Sequence, residues 1–502
     1  MEDLLIIGGG INGVGIAADA AGRGLKVTLC EKADLASGTS SASSKLIHGG
    51  LRYLQQGEFR LVREALKERE ILWAKAPHII HPELFILPYV ETLHPLWQIR
   101  LGLWLYDHLG GRQRLPKSHM LDLIQHPAGS ILQSKYNKGF SYIDCYVDDA
   151  RLVVLNAIQA QQLGAKILTY TEMLQAQRYA DYWRVLVRSK NTGKEQWLET
   201  RILINAAGPW VQEVLHDRIG IKPHYQTILV KGSHIVVPRF FKENFAFTLQ
   251  NEDGRVIFVI PFDERFILIG TTEVGYQGDP ANATISPEEI AYLCTAVNRY
   301  FSHQIQIQDV IWSYAGVRPL QGTEQQQLGK VSRDYKLELN TAQRHAPLLS
   351  IFGGKITTYR RLAEHVLKLL QTYFPHMGPE WTAATPLPGG DIKGANFENF
   401  CQQFSTKYSW LPPSLAYRYA HSYGTRAALF LKNAQSIADL GQPIAMGLYQ
   451  QEIQYLVENE WALTADDILW RRTKLGLLFS KTDKNNLIKY LTQMLPANTF
   501  LD

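Results

Sequence analysis

Gly8, Gly10 and Gly13 stand at the spacing G-x-G-x-x-G, behind the unbroken apolar run Leu4-Leu5-Ile6-Ile7 and ahead of an alanine-rich stretch that closes at Gly24. Glycines so placed can cradle a pyrophosphate. The first permits a tight turn, the second lets backbone approach the anion, and the third lets a helix sit close on a sheet. The helix that starts there, with Asn12 in its opening turn, offers free N–H groups to negative charge. A second apolar run, Leu25 to Cys30, ends at Glu31, at about the 20-residue offset where dinucleotide-binding folds place a carboxylate on ribose hydroxyls. Glycines in such a corner are often structural only, but here strand, turn, helix and acid agree in order. Glu31 in place of an arginine argues against a 2′-phosphate and leaves NAD and FAD equally open.

Two later corners repeat the pattern. Arg201 to Trp210 reads as a buried strand entering a small-residue turn at Gly208, and Pro347 to Phe352 leads into Gly353-Gly354-Lys355 and a helical pattern from Tyr359 to Leu370. Each alone is an ordinary strand-to-helix corner. A cofactor touched by an early, a middle and a late turn is typical of flavin enzymes, where FAD stretches across the sheet.

The elements that must position these residues belong to an ordinary globular chain. It has 502 residues, 46% hydrophobic and 20% charged, which fits roughly three domains. Lys+Arg 52 against Asp+Glu 47 leaves a net charge of +5, and acids interleave the bases, as in Lys67-Glu68-Arg69-Glu70, so a nucleic-acid-binding face is not expected. Cys30, Cys145, Cys294 and Cys401 are far apart, so neither a disulfide framework, a metal site nor an iron–sulfur cluster is expected. The N-terminus lacks a basic region and a long apolar core, and no apolar run reaches the ~20 residues that span a bilayer, which points to the cytoplasm.

Several long blocks resemble the FAD-dependent glycerol-3-phosphate dehydrogenases of the respiratory, quinone-reducing type. Ile7 to Gly24 (IGGGINGVGIAADAAGRG) is similar to that family's first signature and Gly353 to Ala363 (GGKITTYRRLA) to its second. Ser40 to Leu54, Lys231 to Pro238 and Gly316 to Leu320 look like blocks between them, and YLVENEW and WRRTKLG, within Tyr455 to Gly476, continue the likeness more loosely. The resemblance implies FAD as cofactor and oxidation of sn-glycerol 3-phosphate to dihydroxyacetone phosphate by hydride transfer.

It also implies roles residue by residue. Phosphate favours arginine, whose planar fork bonds two oxygens at once; Arg52, Arg318 and Arg333 match arginines placed around substrate, with Tyr53 beside Arg52 and Lys355 near substrate or flavin. Ser43, Ser44 and Lys45 are expected in a loop at the pyrophosphate or flavin ring, His48 and Gly49 near the flavin, and Thr357 where a helix N-terminus meets the isoalloxazine. His234, in KGSHIVVP, is the expected base, because imidazole suits proton abstraction near neutral pH and strand alternation sets it opposite Ile235. Arg318 and Lys355 complete the expected catalytic set. The plain alternatives are solvated arginines, an Arg333–Asp334 ion pair, a lysine on a carbonyl and a core histidine.

The fold class expected is α/β: a discontinuous, doubly wound, Rossmann-like FAD-binding domain (residues 1–75, 142–230 and 310–385), an antiparallel-sheet substrate domain (76–141 and 231–309), and a C-terminal helical domain (395–502). With no iron–sulfur motif and no second dinucleotide fingerprint, electrons should pass from flavin to a diffusible acceptor. The resemblance favours membrane quinone, hence a peripheral protein on the inner face of the cell membrane, and leaves a homodimer open. Leu93 to Lys117 mixes Trp97, Leu101, Trp104 and Leu105 with Arg100, Arg112, Arg114 and Lys117, a composition suited to an interfacial helix on anionic lipid or, equally, to a core helix with a basic exit loop. The rival readings are a glycerol-3-phosphate oxidase that makes hydrogen peroxide and, further off, an amino-acid oxidase of the same flavin fold.

Overall fold

A computed structural model describes residues 1–495 except 55–56, 112–113, 226, 322–333, 342–344 and 446. Arg333 and Arg112 lie outside the described residues. The chain builds two large sheets and a helical C-terminal part, each with its own apolar core.

The first sheet runs in the order Lys336–Asn340, Leu348–Phe352, Glu195–Asn205, Glu2–Ile7, Val27–Cys30, Lys166–Leu168. From Leu348–Phe352 to Lys166–Leu168 all neighbours are parallel, while Lys336–Asn340 and the hairpin Thr171–Arg178/Trp183–Ser189 add antiparallel edges. Leu4 to Ile7 are all apolar because both faces of this strand are covered. Leu4 and Ile6 pack with helices Ile11–Gly22, Asp149–Gln162 and Tyr359–Leu370, and Leu5 and Ile7 pack with Trp183, Val211 and Leu215 on the other side. The register sets Ile7 beside both Cys30 and Asn205, and Asn205 beside Ser350. Four parallel strands thus end together, and Gly8, Glu31, Gly208 and Gly353 leave them along one edge, where open α/β sheets bind ligands.

The second sheet has ten strands and is antiparallel except where Ala246–Gln250 runs parallel to Ile80–Pro88. It includes Leu46–Ile47, Lys138–Val147 and Trp312–Gln321, so stretches next to the cofactor corners cross from the first sheet to the second. Strand partners many residues away decide this membership, and local composition does not encode them. Thr227–Pro238 pairs with Trp312–Gln321, setting Val230 beside Arg318 and His234 beside Tyr314.

Helices Phe397–Lys407, Pro413–Tyr423, Gln450–Glu460 and Lys481–Met494 form the C-terminal part around Tyr419, Tyr423, Phe430 and Tyr455. The connection before it is tightly fitted: Leu387 is buried, and a Cβ on Gly390 would lie 2.0 Å from the Lys75 carbonyl oxygen. No described helix is long and apolar enough to cross a membrane.

Candidate cofactor and substrate site

Helix Ile11–Gly22 begins without a side-chain cap at Gly10; its first N–H goes to Ser40 Oγ at 3.0 Å. Its positive end therefore points at the space above the sheet. Gly8 has φ 113°, and a Cβ there would lie 2.5 Å from the Ala206 carbonyl oxygen. Gly13 serves the same turn from inside the helix, with the Gly8 carbonyl oxygen 1.9 Å from where its Cβ would be. Gly13 is thus a close-packing residue behind the cradle.

The Glu31 carboxylate accepts the Gly9 N–H at 2.7 Å through Oε2 and the Ala33 N–H at 2.8 Å through Oε1. Burial raises its pKa while the two amides pull it down. Each oxygen keeps a further lone pair for a ribose hydroxyl. Asn12 ties the first turn to the last, donating through Nδ2 to the Gly353 carbonyl at 3.2 Å, and its Oδ1 is buried with no partner among the described residues. A buried orphan acceptor is unfavourable by roughly 1–3 kcal/mol, so a donor from a bound group fits there. The glycine turn, the acid at the end of the second strand and this orphan oxygen together fit an FAD.

One cavity of about 510 Å³ connects these features. Gly8, Gly10, Asn12, Glu31 and Gly208 line it, as do Ser43, Ser44, His48, Gly353, Gly354 and Thr357. Arg52, Tyr53, Arg318 and Lys355 line it too. Arg52 and Tyr53 sit in the short turn Leu51–Leu54, Arg318 on the second sheet, and Lys355 on the late glycine turn. Lys355 Nζ lies 3.7 Å from the centre of the Tyr53 ring, and Arg52 Nη1 lies 3.4 Å from Glu273 Oε1. Arg52, Arg318 and Lys355 bring to this lining the positive charge that a phosphate dianion requires.

Four expected residues stand elsewhere. Lys45 is buried, and its ammonium bonds both oxygens of Asp149 at 2.9 and 3.0 Å and the Ser41 carbonyl at 3.1 Å, so it faces away from the cavity. The N–H of Gly49 donates to Tyr106 Oη at 2.8 Å, and a Cβ there would meet Leu66 at 2.5 Å, a packing position. Gly13 acts from behind the cradle, as above. His234 lies behind the wall: it stacks on Tyr314 with ring centres 4.8 Å apart, and its Nε2 is 2.9 Å from the Oγ of cavity-lining Ser44.

Burial, with the charges of Arg318 and Lys45, holds the His234 imidazole well below its ordinary 6.5. Its neutral form adds stability that is complete above about pH 6.5 and drains away as pH falls towards the folded value, by up to about 1.4 kcal/mol per pH unit. Urea midpoints of His234→Gln measured between about pH 7 and pH 5 should fall less steeply than those of the wild type. Equal slopes would show that the ring exchanges protons freely in the folded protein.

Residues beyond the sequence reading also shape the site. Asp149, in the acidic pair that starts helix Asp149–Gln162, holds Ser43 through N–H at 3.2 Å and Oγ–H at 2.7 Å. The doublet Asp148-Asp149 at a strand-to-helix corner was the available signal. Glu273 lines the cavity with no motif to mark it, and Trp210 lines it from the end of the Gly208 corner. Among the described residues no group of three or more His, Cys, Asp or Glu could hold a metal.

Comparison with known proteins agrees with this geometry. The family described as FAD dependent oxidoreductase matches residues 3–360, and the one described as C-terminal domain of alpha-glycerophosphate oxidase matches residues 381–495. A glycerol-3-phosphate dehydrogenase of Pseudomonas aeruginosa is 51% identical over 97% of this chain and 94% of its own. A D-erythritol 1-phosphate dehydrogenase of Brucella abortus is 48% identical over 97% of both chains. The crystal structure of a glycerol-3-phosphate dehydrogenase from Bacillus halodurans complexed with FAD superposes with a TM-score of 0.79 at 30% identity, covering 98% of this chain and 90% of that one. The chain belongs to the FAD dependent oxidoreductase family, within its FAD-dependent glycerol-3-phosphate dehydrogenases.

Proposed function

We propose that this enzyme oxidises sn-glycerol 3-phosphate at C2 to dihydroxyacetone phosphate and passes the electrons to a membrane quinone. The observation that carries the reading is that Arg52, Arg318 and Lys355 line the same cavity as Gly8, Glu31 and Gly353. FAD, when bound, supplies the hydride acceptor. Arg318 and Arg52 bind the phosphate dianion, and Tyr53 orients Lys355 beneath it. Ser44 Oγ takes the C2 hydroxyl proton as its own proton passes to Nε2 of neutral His234 behind, a route supported by the 2.9 Å contact between them.

Helix Leu96–Leu109 supports the quinone arm. Its outer stripe exposes Trp97 (66%), Leu101 (48%) and Trp104 (56%), while Gln98, Ile99 and Gly102 line the cavity from the other side of the same helix. Arg100 on the same helix and Lys117 beyond it are exposed, and such cations suit an anionic inner leaflet. The acceptor is then delivered by the lipid to the cavity wall itself.

The purified protein should be yellow and bleach anaerobically on adding glycerol 3-phosphate, then regain colour on adding a short-chain quinone. Rapid recolouring by oxygen with stoichiometric peroxide would assign an oxidase instead, and a flavin left oxidised by the substrate would remove the reading. The Brucella abortus relative favours a second substrate, a four-carbon polyol phosphate. Erythritol 1-phosphate as the faster reductant in the same assay would select it.

A further inference from the structure

The block WRRTKLG, Trp470 to Gly476, lines none of the FAD cavity. Its three cations, Arg471, Arg472 and Lys474, are nevertheless turned inwards to the FAD-binding part. Arg472 Nη1 and Nη2 meet the two oxygens of buried Asp34 at 2.9 and 2.8 Å, and Arg471 Nε meets Asp34 Oδ2 at 2.5 Å. Asp34 is three residues past Glu31 and sits on the same turn. The pair is braced from behind: Arg472 also donates to the Glu460 carbonyl, Arg471 to Asp467 at 2.5 Å, and Asp467 accepts the Tyr170 hydroxyl at 2.8 Å. Tyr170 returns to the turn by donating its N–H to the Ala33 carbonyl at 3.0 Å.

Further along the chain the same block makes a second attachment. Lys474 Nζ lies 3.3 Å from Asp148 Oδ1 and 3.6 Å from Asp149 Oδ1. Asp149 in turn holds Ser43 and Lys45. Lys474 and Lys45 both have left-handed backbones, with φ 59° and 57°. Such conformations persist in residues with side chains where the surroundings over-determine them, and they gather at functional sites.

Between the two attachments the chain has open space on both sides. Gly38, Thr39 and Ala42 line the FAD cavity and also a second cavity of about 320 Å³ behind it, which Trp470, Arg471 and Lys474 help to close. The middle of this segment is held by the glycine turn and the second sheet, with the Ala36 N–H donating to the Gly9 carbonyl at 3.1 Å, Ser40 Oγ accepting the Ile11 N–H at 3.0 Å and Thr39 Oγ1 donating to the Val317 carbonyl at 2.6 Å. The block secures its two ends, at Asp34 and at Ser43 to Lys45.

We propose that Arg471, Arg472 and Lys474 are positioning residues for FAD: the C-terminal part clamps the turn carrying Glu31 and the loop carrying Ser43, and so holds the cavity wall against the cofactor. The clamp contributes to cofactor retention and touches no reacting atom. It gives the C-terminal part a function in the holoenzyme distinct from substrate binding.

The test follows FAD release from diluted holoenzyme by the rise of free-flavin fluorescence, with far-ultraviolet and visible circular dichroism on the same samples. Arg471→Gln and Lys474→Met, both at partly exposed positions, should release FAD about tenfold faster than the wild type, with unchanged backbone signal and an altered visible signal from the bound flavin. Arg472→Gln should release it faster still, and Arg471→Lys should fall between wild type and Arg471→Gln. Wild-type release rates in Arg471→Gln and Lys474→Met overturn the proposal, whatever Arg472→Gln does. Loss of C-terminal helical signal with unchanged release would make these contacts structural, and also overturns it.

Discussion

Replacing Arg318 by alanine should raise KM for glycerol 3-phosphate on the order of 100-fold while the protein stays yellow and kcat changes far less. A hydrogen bond to a charged group is worth about 1.5–3 kcal/mol, and a guanidinium can make two with one phosphate, so a loss of about 3 kcal/mol is the expected scale. The phosphate is remote from the reacting C2, so its binding is shared by ground and transition states and its loss appears in KM. FAD should stay bound because Arg318 is carried by the second sheet, on a strand paired through Val230, and not by the glycine cradle. Arg52, 3.4 Å from Glu273, lines the same cavity, and Arg52→Ala should likewise raise KM. Initial rates over a wide substrate range check both, and an unchanged KM in Arg318→Ala removes that residue from the phosphate site.

The second large effect is expected at a residue that touches neither ligand. Gly13→Ala places a methyl 1.9 Å from the Gly8 carbonyl oxygen, so helix Ile11–Gly22 must move off the strand that ends at Ile7. Overpacking of this kind costs typically 1–3 kcal/mol, and here it also opens the glycine turn expected to receive the pyrophosphate. The variant should purify with most of its flavin lost, read as the ratio of absorbance near 450 nm to that at 280 nm, which is a far larger change than at Gly24. A Cβ on Gly24 meets nothing within 4 Å; Gly24→Ala costs only the strain of its φ of 88°, roughly 1 kcal/mol, and should keep its FAD. Full flavin in Gly13→Ala would mean that the cradle tolerates a wider gap between helix and strand.

The cradle was legible because its parts are neighbours in the chain: strand, turn and helix occupy Leu4 to Gly24, and Glu31 follows at the end of the next strand. Lys45 was not. Its partner Asp149 is 104 residues away, and nothing near Lys45 distinguishes a lysine aimed at the cofactor from one aimed at a buried carboxylate behind it. For His234, strand alternation gives a face, but Ser44, from a distant part of the chain, stands between that face and the cavity. Glu273 carries no motif, and only packing shows that it lines the site. The block WRRTKLG was visible as a family-like stretch, whereas its inward-facing arginines follow from Asp34, more than four hundred positions earlier.

The sequence by itself determined the cofactor class and the order of the glycine corners along the chain, because glycine spacing, apolar runs and a terminal acid act over a few turns of backbone. The tertiary structure decided which cations face the cavity, which histidine stands behind it, and that the C-terminal part reaches back to the cofactor loops. Those outcomes depend on strand register and on charge pairs between distant segments, where one residue of slip reverses a side chain's face and burial selects the partner that neutralises each charge.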